Sequence, residues 1–224
     1  MLSQAIGNLL PFAVAVALSP IPIVGVVVVL GTPKARTNGP AFAVGWLLGL
    51  TVVMTAVLVF ANGSDQPDST ASNAASVAVL ALGLVLLALA AKQWRKRPKP
   101  GEESVLPAWM ATVDTLNFAR TLALGVAMSG LNPKNLILTA GAAASIAEAG
   151  LSAADTALAA ATFVVLGSVT VVGAVVFYLL AGQRAVGPLG NLKEFMTQHN
   201  AVIMMVILLI LGAKLVGDGL GGLG

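Results

Sequence analysis

The sequence has no cysteine and few charged residues, and each shortage excludes a class of protein. Of its 224 residues, 9% are charged and 58% are hydrophobic. In soluble domains about a quarter of the residues are charged, so this chain cannot cover a water-facing surface. Because cysteine is absent, disulfides and thiolate metal sites are impossible. The composition therefore predicts an integral membrane protein that lies mostly in lipid.

Acidic residues and histidine are also scarce. None of the nine acidic residues falls in the interior of an apolar run, and the single histidine, His199, stands at the edge of the last run. Proton-coupled carriers usually have buried carboxylates or histidines, and metal sites need clustered ligands. We therefore expect no metal and no other cofactor. We also expect no enzyme, because Ser19 and Ser129 have only Lys134 as a conceivable catalytic partner.

Six apolar runs are long enough to cross the hydrocarbon core, which takes about 20 helical residues. They cover residues 6–30, 41–61, 74–91, 121–146, 154–180 and 201–216. The first run is interpreted as a retained helix rather than a signal peptide, because the first basic residue is Lys34. The sequence therefore predicts an all-α integral membrane protein with six transmembrane helices.

Basic residues occur in alternate connections between these runs. The connections after the first, third and fifth runs are basic, whereas those after the second and fourth contain no Lys or Arg. By the positive-inside rule, the basic loops face the cytoplasm and both termini are extracytoplasmic. We expect a multi-pass protein of the plasma membrane. The basic stretch at residues 92–99 would contact anionic lipid heads, and we expect no nucleic-acid partner.

Three runs precede the long basic connection and three follow it. An odd number in each half reverses the second half in the membrane, as in a 3+3 inverted-topology repeat. We predict a first three-helix repeat at residues 1–92, a basic cytoplasmic linker at 93–117 and a second three-helix repeat at 118–224. Apolar residues at helical spacing within 106–116 predict an interfacial helix in the linker, or alternatively the start of the fourth run.

The first run of each half is interrupted by proline and polar residues. Proline removes a backbone donor, and groups freed in lipid must be satisfied by protein or by cavity water. Paired breaks in corresponding helices indicate a binding or transport site near the midplane. The predicted substrate-binding residues lie at these two interruptions: Ser19, Pro20, Pro22, Asn132, Pro133, Lys134 and Asn135.

Lys134 would give this site a positive charge, and Asn132 and Asn135 would add amide donors and acceptors. A helix that begins near Pro133 would also direct its positive end into the site. The site should therefore prefer an anionic or strongly polar group. Alternatively, the prolines only kink their helices, and Lys134 snorkels or bonds to carbonyls freed in the first run.

Small residues in other runs predict close helix contacts. Gly45 and Gly49 stand four residues apart in the second run, and Gly125, Gly167 and Gly173 would pack similarly in the fourth and fifth. We expect contacts within one chain, and the alternative is the interface of a homodimer.

Several short motifs together resemble the GAP family, the peptidoglycolipid- and sulfolipid-addressing proteins of mycobacteria and related actinobacteria. The resemblance covers nearly the whole chain. The motifs that carry it are Ser19-Pro20-Ile21-Pro22-Ile23, Asn38-Gly39-Pro40-Ala41-Phe42, Gly45-Trp46-Leu47-Leu48-Gly49, Pro107-Ala108-Trp109-Met110-Ala111 and Asn132-Pro133-Lys134-Asn135-Leu136. The resemblance implies surface delivery of a cell-envelope glycolipid, with a large RND-type lipid exporter as a partner.

The GAP family is grouped in the LysE superfamily of small exporters. That grouping implies a six-helix, LysE-like inverted repeat with prolines in helices one and four, and Asn132-Pro133-Lys134 resembles its helix-four motif. In helix one, amino-acid exporters of the group typically have Pro-Gly-Pro, whereas this chain has Pro20-Ile21-Pro22.

The leading hypothesis is a membrane transporter or accessory protein for export or surface delivery of a glycolipid. A second hypothesis is an exporter of small solutes, such as an amino acid or an organic ion. A third is a non-transporting assembly subunit of a lipid-export complex.

Overall fold

A computed structural model describes the backbone of residues 1–63, 69–95, 113 and 115–223, and their side chains except those of 61–63, 69–75 and 78. These residues are helical with short connections, and no strand occurs among them. The α-helices are α1 (Leu2–Ala17), α2 (Pro20–Leu30), α3 (Ala35–Gly63), α4 (Ser69–Arg95), α5 (Phe118–Val126), α6 (Pro133–Glu148), α7 (Ala153–Ala181), α8 (Val186–Gln198) and α9 (Asn200–Gly221). The predicted all-α fold is confirmed.

Three stretches of helix are long and apolar enough to cross a membrane: Ala35–Phe60, Ala153–Gln198 and Asn200–Gly221. The pair α1 and α2, bent by 49°, makes a fourth if it is counted as one span. These apolar helices indicate a membrane protein. The described residues thus contain three or four candidate spans, and the predicted six spans are not confirmed. The fourth predicted run is divided, because its apolar part Phe118–Leu131 is short and α6 begins separately.

Contacts group the chain into two compact units. The first comprises Met1–Ala61 with Val105–Thr197, and within it α1 packs against α6 and α7, and α2 against α7. The second comprises Asn62–Ser104 with Gln198–Gly224, and within it α4 packs against α9. The sequential repeats remain a prediction. Most of the predicted interfacial helix at residues 106–116 lies outside the described residues.

In the first unit, α3 touches α5 and the turn after it through glycine. A Cβ atom at Gly45 would collide with the Leu122 carbonyl, and one at Gly49 would collide with the Ser129 hydroxyl. Gly125 faces the α3 backbone in the same way. Small residues allow membrane helices to approach this closely. The predicted small-residue face is therefore confirmed as a contact within the chain.

The two glycines predicted to pack in α7 differ. A Cβ atom at Gly167 would lie 3.3 Å from Cγ1 of Val16, so this glycine faces α1. At Gly173 an added Cβ would meet no atom within 4 Å, and the prediction that Gly173 makes a close contact is wrong. Open space faces Gly173, so no neighbouring helix in the described part of the chain comes close to the α7 backbone at this position.

In the second unit, α4 and α9 also approach through small residues. A Cβ atom at Gly83 would lie 2.7 Å from the Val216 nitrogen, and one at Gly219 would lie 2.6 Å from the Leu80 nitrogen. The backbones of the two helices are therefore in contact along this face.

Candidate functional site

The first predicted interruption is a true helix break. α1 ends at Ala17, Ser19 has extended backbone (φ −70°, ψ 110°), and α2 begins at Pro20. Pro20 has no N–H, but at the first position of a helix that group has no intrahelical partner anyway. Pro20 and Pro22 therefore mark the end of one helix and the start of the next. Residues 18–19 are called the first break.

Carbonyls before the first break are bonded by side chains. The Ser19 N–H donates to the Val16 carbonyl at 3.1 Å, so the Ala15 carbonyl lacks its usual helical donor. It accepts instead from Lys134 Nζ at 2.8 Å and from Ser19 Oγ at 3.3 Å. The Ala17 carbonyl accepts from Thr170 Oγ1 of α7 at 2.5 Å. The protein thus satisfies groups that lipid could not.

The second break, residues 127–132, lies between α5 and α6. It consists of a π-helical turn, Ala127–Leu131, followed by the extended residue Asn132. In π-helical pairing the Met128 carbonyl would accept from residue 133, which is a proline without an N–H. Asn135 Nδ2 supplies the missing donor at 2.9 Å. Asn132 Oδ1 accepts from the Lys134 N–H at 3.1 Å and caps α6.

A hydrogen-bonded cluster joins the two breaks. Lys134 Nζ donates to Ser19 Oγ at 2.7 Å, and Ser19 Oγ lies 3.0 Å from Asn135 Oδ1. Because a hydroxyl carries one proton, Ser19 donates to either Asn135 Oδ1 or the Ala15 carbonyl while it accepts from Lys134. Ser19 and Asn135 are buried and Lys134 is part-buried. The structure therefore brings three predicted site residues into direct contact.

The other four predicted site residues lie at the starts of α2 and α6 and shape the two breaks. Pro20 and Pro22 are buried in the first turn of α2, and Pro133 is exposed at the start of α6. The Asn132 side chain caps α6. The predicted residues therefore divide into a polar cluster and a set that shapes the two breaks.

Lys134 is bonded to neutral oxygens. Among the residues that the structure describes, no carboxylate pairs with it, whereas Lys214 pairs with Asp218 at 2.6 Å. The same part of the chain has no group of three metal-ligating side chains. The cluster thus presents an ammonium group between two broken helices, with no anionic partner in the described part of the chain.

Two threonines near the cluster were not predicted from the sequence. Thr170 bonds to the first break, as described above. Thr139 follows Asn135 by one helical turn and is fully buried, and its Oγ1 has no hydrogen-bond partner among the described residues. The four-residue spacing from Asn135 could have identified Thr139, since residues four apart share a helix face. No comparable signal distinguishes Thr170 within its apolar run.

A protein-family model described as Sap, sulfolipid-1-addressing protein, matches residues 9–221, which include both breaks. The chain belongs to this family. Searches of curated proteins and of solved structures found no match. The Sap-like part of the predicted resemblance is therefore confirmed, and membership in the LysE superfamily stays a prediction. Membership in the sulfolipid-1-addressing family indicates a role in glycolipid surface delivery.

Proposed function

We propose that the chain is a plasma-membrane protein that exports a cell-envelope glycolipid or delivers it to the surface, and that Lys134 contacts an anionic group of that lipid. One observation carries the proposal: the Lys134 ammonium lies between two broken helices with only neutral acceptors among the described residues. Membership in the sulfolipid-1-addressing family supports the lipid class.

The chemistry of the cluster supports an anionic ligand. An ammonium group has three N–H donors, and two of them point to Ala15 and Ser19. The third donor would bond to a substrate oxygen. A cation within a membrane protein is costly without a counter-charge, so an anionic headgroup would lower that cost while it is bound. If the substrate displaced the Ser19 hydroxyl from Lys134, that hydroxyl would still bond to Asn135.

We further propose that the chain is a six-span inverted repeat of the LysE type, with both termini extracytoplasmic and the basic loops cytoplasmic. Two contacts support this arrangement. α3 packs on α5, and α7 packs on α1, so the second helix of each predicted half contacts the broken first helix of the other. Inversion of the two halves makes these contacts equivalent.

The test of the lipid site compares three variants expressed in cells that lack the native gene. Lys134→Met should lower the surface level of the lipid about ten-fold, because a hydrogen bond to a charged group is worth about 1.5–3 kcal/mol. Lys134→Arg should retain most of the delivery, because the charge remains. Lys214→Met is the matched control, since its lysine pairs with Asp218 within α9.

Surface lipid would be extracted from intact cells and quantified, with protein abundance measured in the same cultures. Normal surface lipid in Lys134→Met cells at normal protein abundance would refute a role for Lys134. Robust small-solute flux in inverted vesicles would instead favour the small-solute exporter.

A non-transporting subunit of a lipid-export complex is the second candidate. The observation that favours it is that Lys134 already bonds to the first break, so its role would be to hold the two breaks together. Affinity capture should then recover a large RND-type lipid exporter, and Lys134→Met protein that still folds to normal abundance should leave both capture and delivery intact. Loss of delivery with intact capture would favour the substrate-binding role.

A further inference from the structure

A cavity of about 280 Å³ lies within the first unit, away from the Lys134 cluster. It is bounded by the C-terminal end of α2, the C-terminal part of α7 and α8. Its lining includes Val27, Leu30, Tyr178, Leu189, Gly190 and Lys193.

The cavity combines apolar walls with a single charged lining residue. Valine and leucine side chains dominate its surface, and Lys193 is the charged member. Lys193 Nζ has no hydrogen-bond or ion-pair partner among the described residues. Apolar cavities hold water poorly, whereas an unpaired ammonium attracts an anion. The lining therefore matches an amphiphile with an apolar tail and a negative head.

The position of the cavity matches a lipid rather than a soluble anion. It lies at the helix ends where the chain becomes basic, with Lys34 shortly after α2 and the exposed Arg184 just before α8. Basic residues at the ends of apolar helices attract anionic lipid heads. A tail inserted between α2 and α8 would leave its head beside Lys193.

We propose that this cavity binds one acyl chain of an anionic membrane lipid and that Lys193 binds its headgroup. The volume of about 280 Å³ is just below the range for small-molecule sites, about 300–1,000 Å³, so the cavity fits part of a single chain. The site shares no residue with the Lys134 cluster, and it does not depend on the proposed function.

Two glycines of α8 allow a matched test of the acyl-chain site. A Cβ atom at either Gly190 or Gly187 would meet no atom within 4 Å, so both positions accept a side chain. Gly190 lines the cavity and Gly187 does not. Gly190→Leu should therefore fill the cavity, whereas Gly187→Leu makes the same change in helix propensity outside it.

Binding would be measured by native mass spectrometry of the purified full chain in detergent, titrated with phosphatidylglycerol. The tightest-bound lipid should bind at least about ten-fold more weakly to Gly190→Leu, since filling the cavity removes the apolar contacts of the chain. Gly187→Leu should bind like the unsubstituted protein. Equal binding by the two variants would overturn the proposal.

The headgroup contact is tested with Lys193→Gln and two lipids of identical acyl chains. Affinity for phosphatidylglycerol should fall about five-fold, as expected for one basic residue near a lipid surface, and affinity for zwitterionic phosphatidylcholine should not change. An equal fall for both lipids would overturn the role of Lys193. If glycerol phosphate, which has no acyl chain, competes as well as phosphatidylglycerol, the site binds a soluble anion and the lipid proposal is wrong.

Discussion

The two helix breaks differ in the origin of the donors that satisfy their carbonyls. At the first break, Lys134 of α6 bonds to the Ala15 carbonyl and Thr170 of α7 bonds to the Ala17 carbonyl. At the second break, Asn135 bonds to the Met128 carbonyl, only seven residues away. The hydrogen bonds at the first break therefore depend on the packing of α1 against α6 and α7. At the second break the donor comes from a residue close by in the sequence. Prolines mark both breaks, but nearby polar residues decide how each is stabilised.

The largest expected difference concerns the packing beside each break. Gly49→Ala should destabilise the protein by about 3 kcal/mol, because the new Cβ would collide with the Ser129 hydroxyl and the Val126 carbonyl, and overpacking costs about 1–3 kcal/mol or more. Gly167→Ala should change stability by less than about 1 kcal/mol, because its neighbour is the Val16 side chain at 3.3 Å, which can shift. Unfolding in mixed micelles would measure the free energy of unfolding of both variants. Equal losses of stability would contradict the comparison.

The second-largest loss of stability is expected at the second break, where nearby side chains supply the hydrogen bonds. Asn135→Ala should cost about 2 kcal/mol, since it leaves the Met128 carbonyl without this donor in a buried site. Asn132→Ala removes the cap of α6 and should cost about 1 kcal/mol. The same unfolding measurement applies to both variants. A larger loss for Asn132→Ala would show that the cap, rather than the buried amide, stabilises the break.

A smaller loss of stability is expected at the first break, where a side chain of another helix supplies a hydrogen bond. Thr170→Val removes the hydroxyl that bonds to Ala17 and should cost about 0.6 kcal/mol, the average for hydrogen bonds between membrane helices. Thr162→Val is the matched control on α7, because Thr162 bonds to Leu158 within the same helix. Its stability should change by less than about 0.5 kcal/mol. If both variants unfold alike, the first break does not depend on α7.

The smallest effect is expected far from both breaks. Lys214 and Asp218 form an ion pair four residues apart in α9, with half of the Asp218 side chain exposed. Such pairs contribute about 0.3–0.5 kcal/mol, so Lys214→Met should change stability by no more than that. The unfolding measurement in mixed micelles, repeated at low and high salt, would test this change in stability. A loss above about 1 kcal/mol would show that this lysine has a structural role comparable to the polar groups at the breaks.

Much of the helical framework could be predicted from the sequence. The apolar runs predict the helices, and Pro20 and Pro133 predict where two of them begin. Contact between Lys134 and carbonyls of the first run belonged to the alternative interpretation, in which the prolines only kink their helices, and the structure contains such a bond. The number of spans is harder to predict, because run length does not say whether two broken pieces cross as one.

Other features lack a local signal. The π-helical turn Ala127–Leu131 contains no proline that would mark it in the sequence. Thr170 contacts the first break because of how α7 is rotated, and a threonine among valines does not reveal that rotation. The apolar cavity forms because α8 lies near the end of α2, after a turn at Gly182 with φ of 57°. A glycine permits that turn but does not say which helix α8 will meet.

Under the proposed function, the glycine contact between α3 and α5 restricts the routes by which a lipid would reach Lys134. Backbone touches backbone where Gly45 and Gly125 meet, which leaves no gap for a hydrocarbon tail to slide through. A lipid that enters sideways from the bilayer to reach Lys134 must therefore pass along a different flank of the protein.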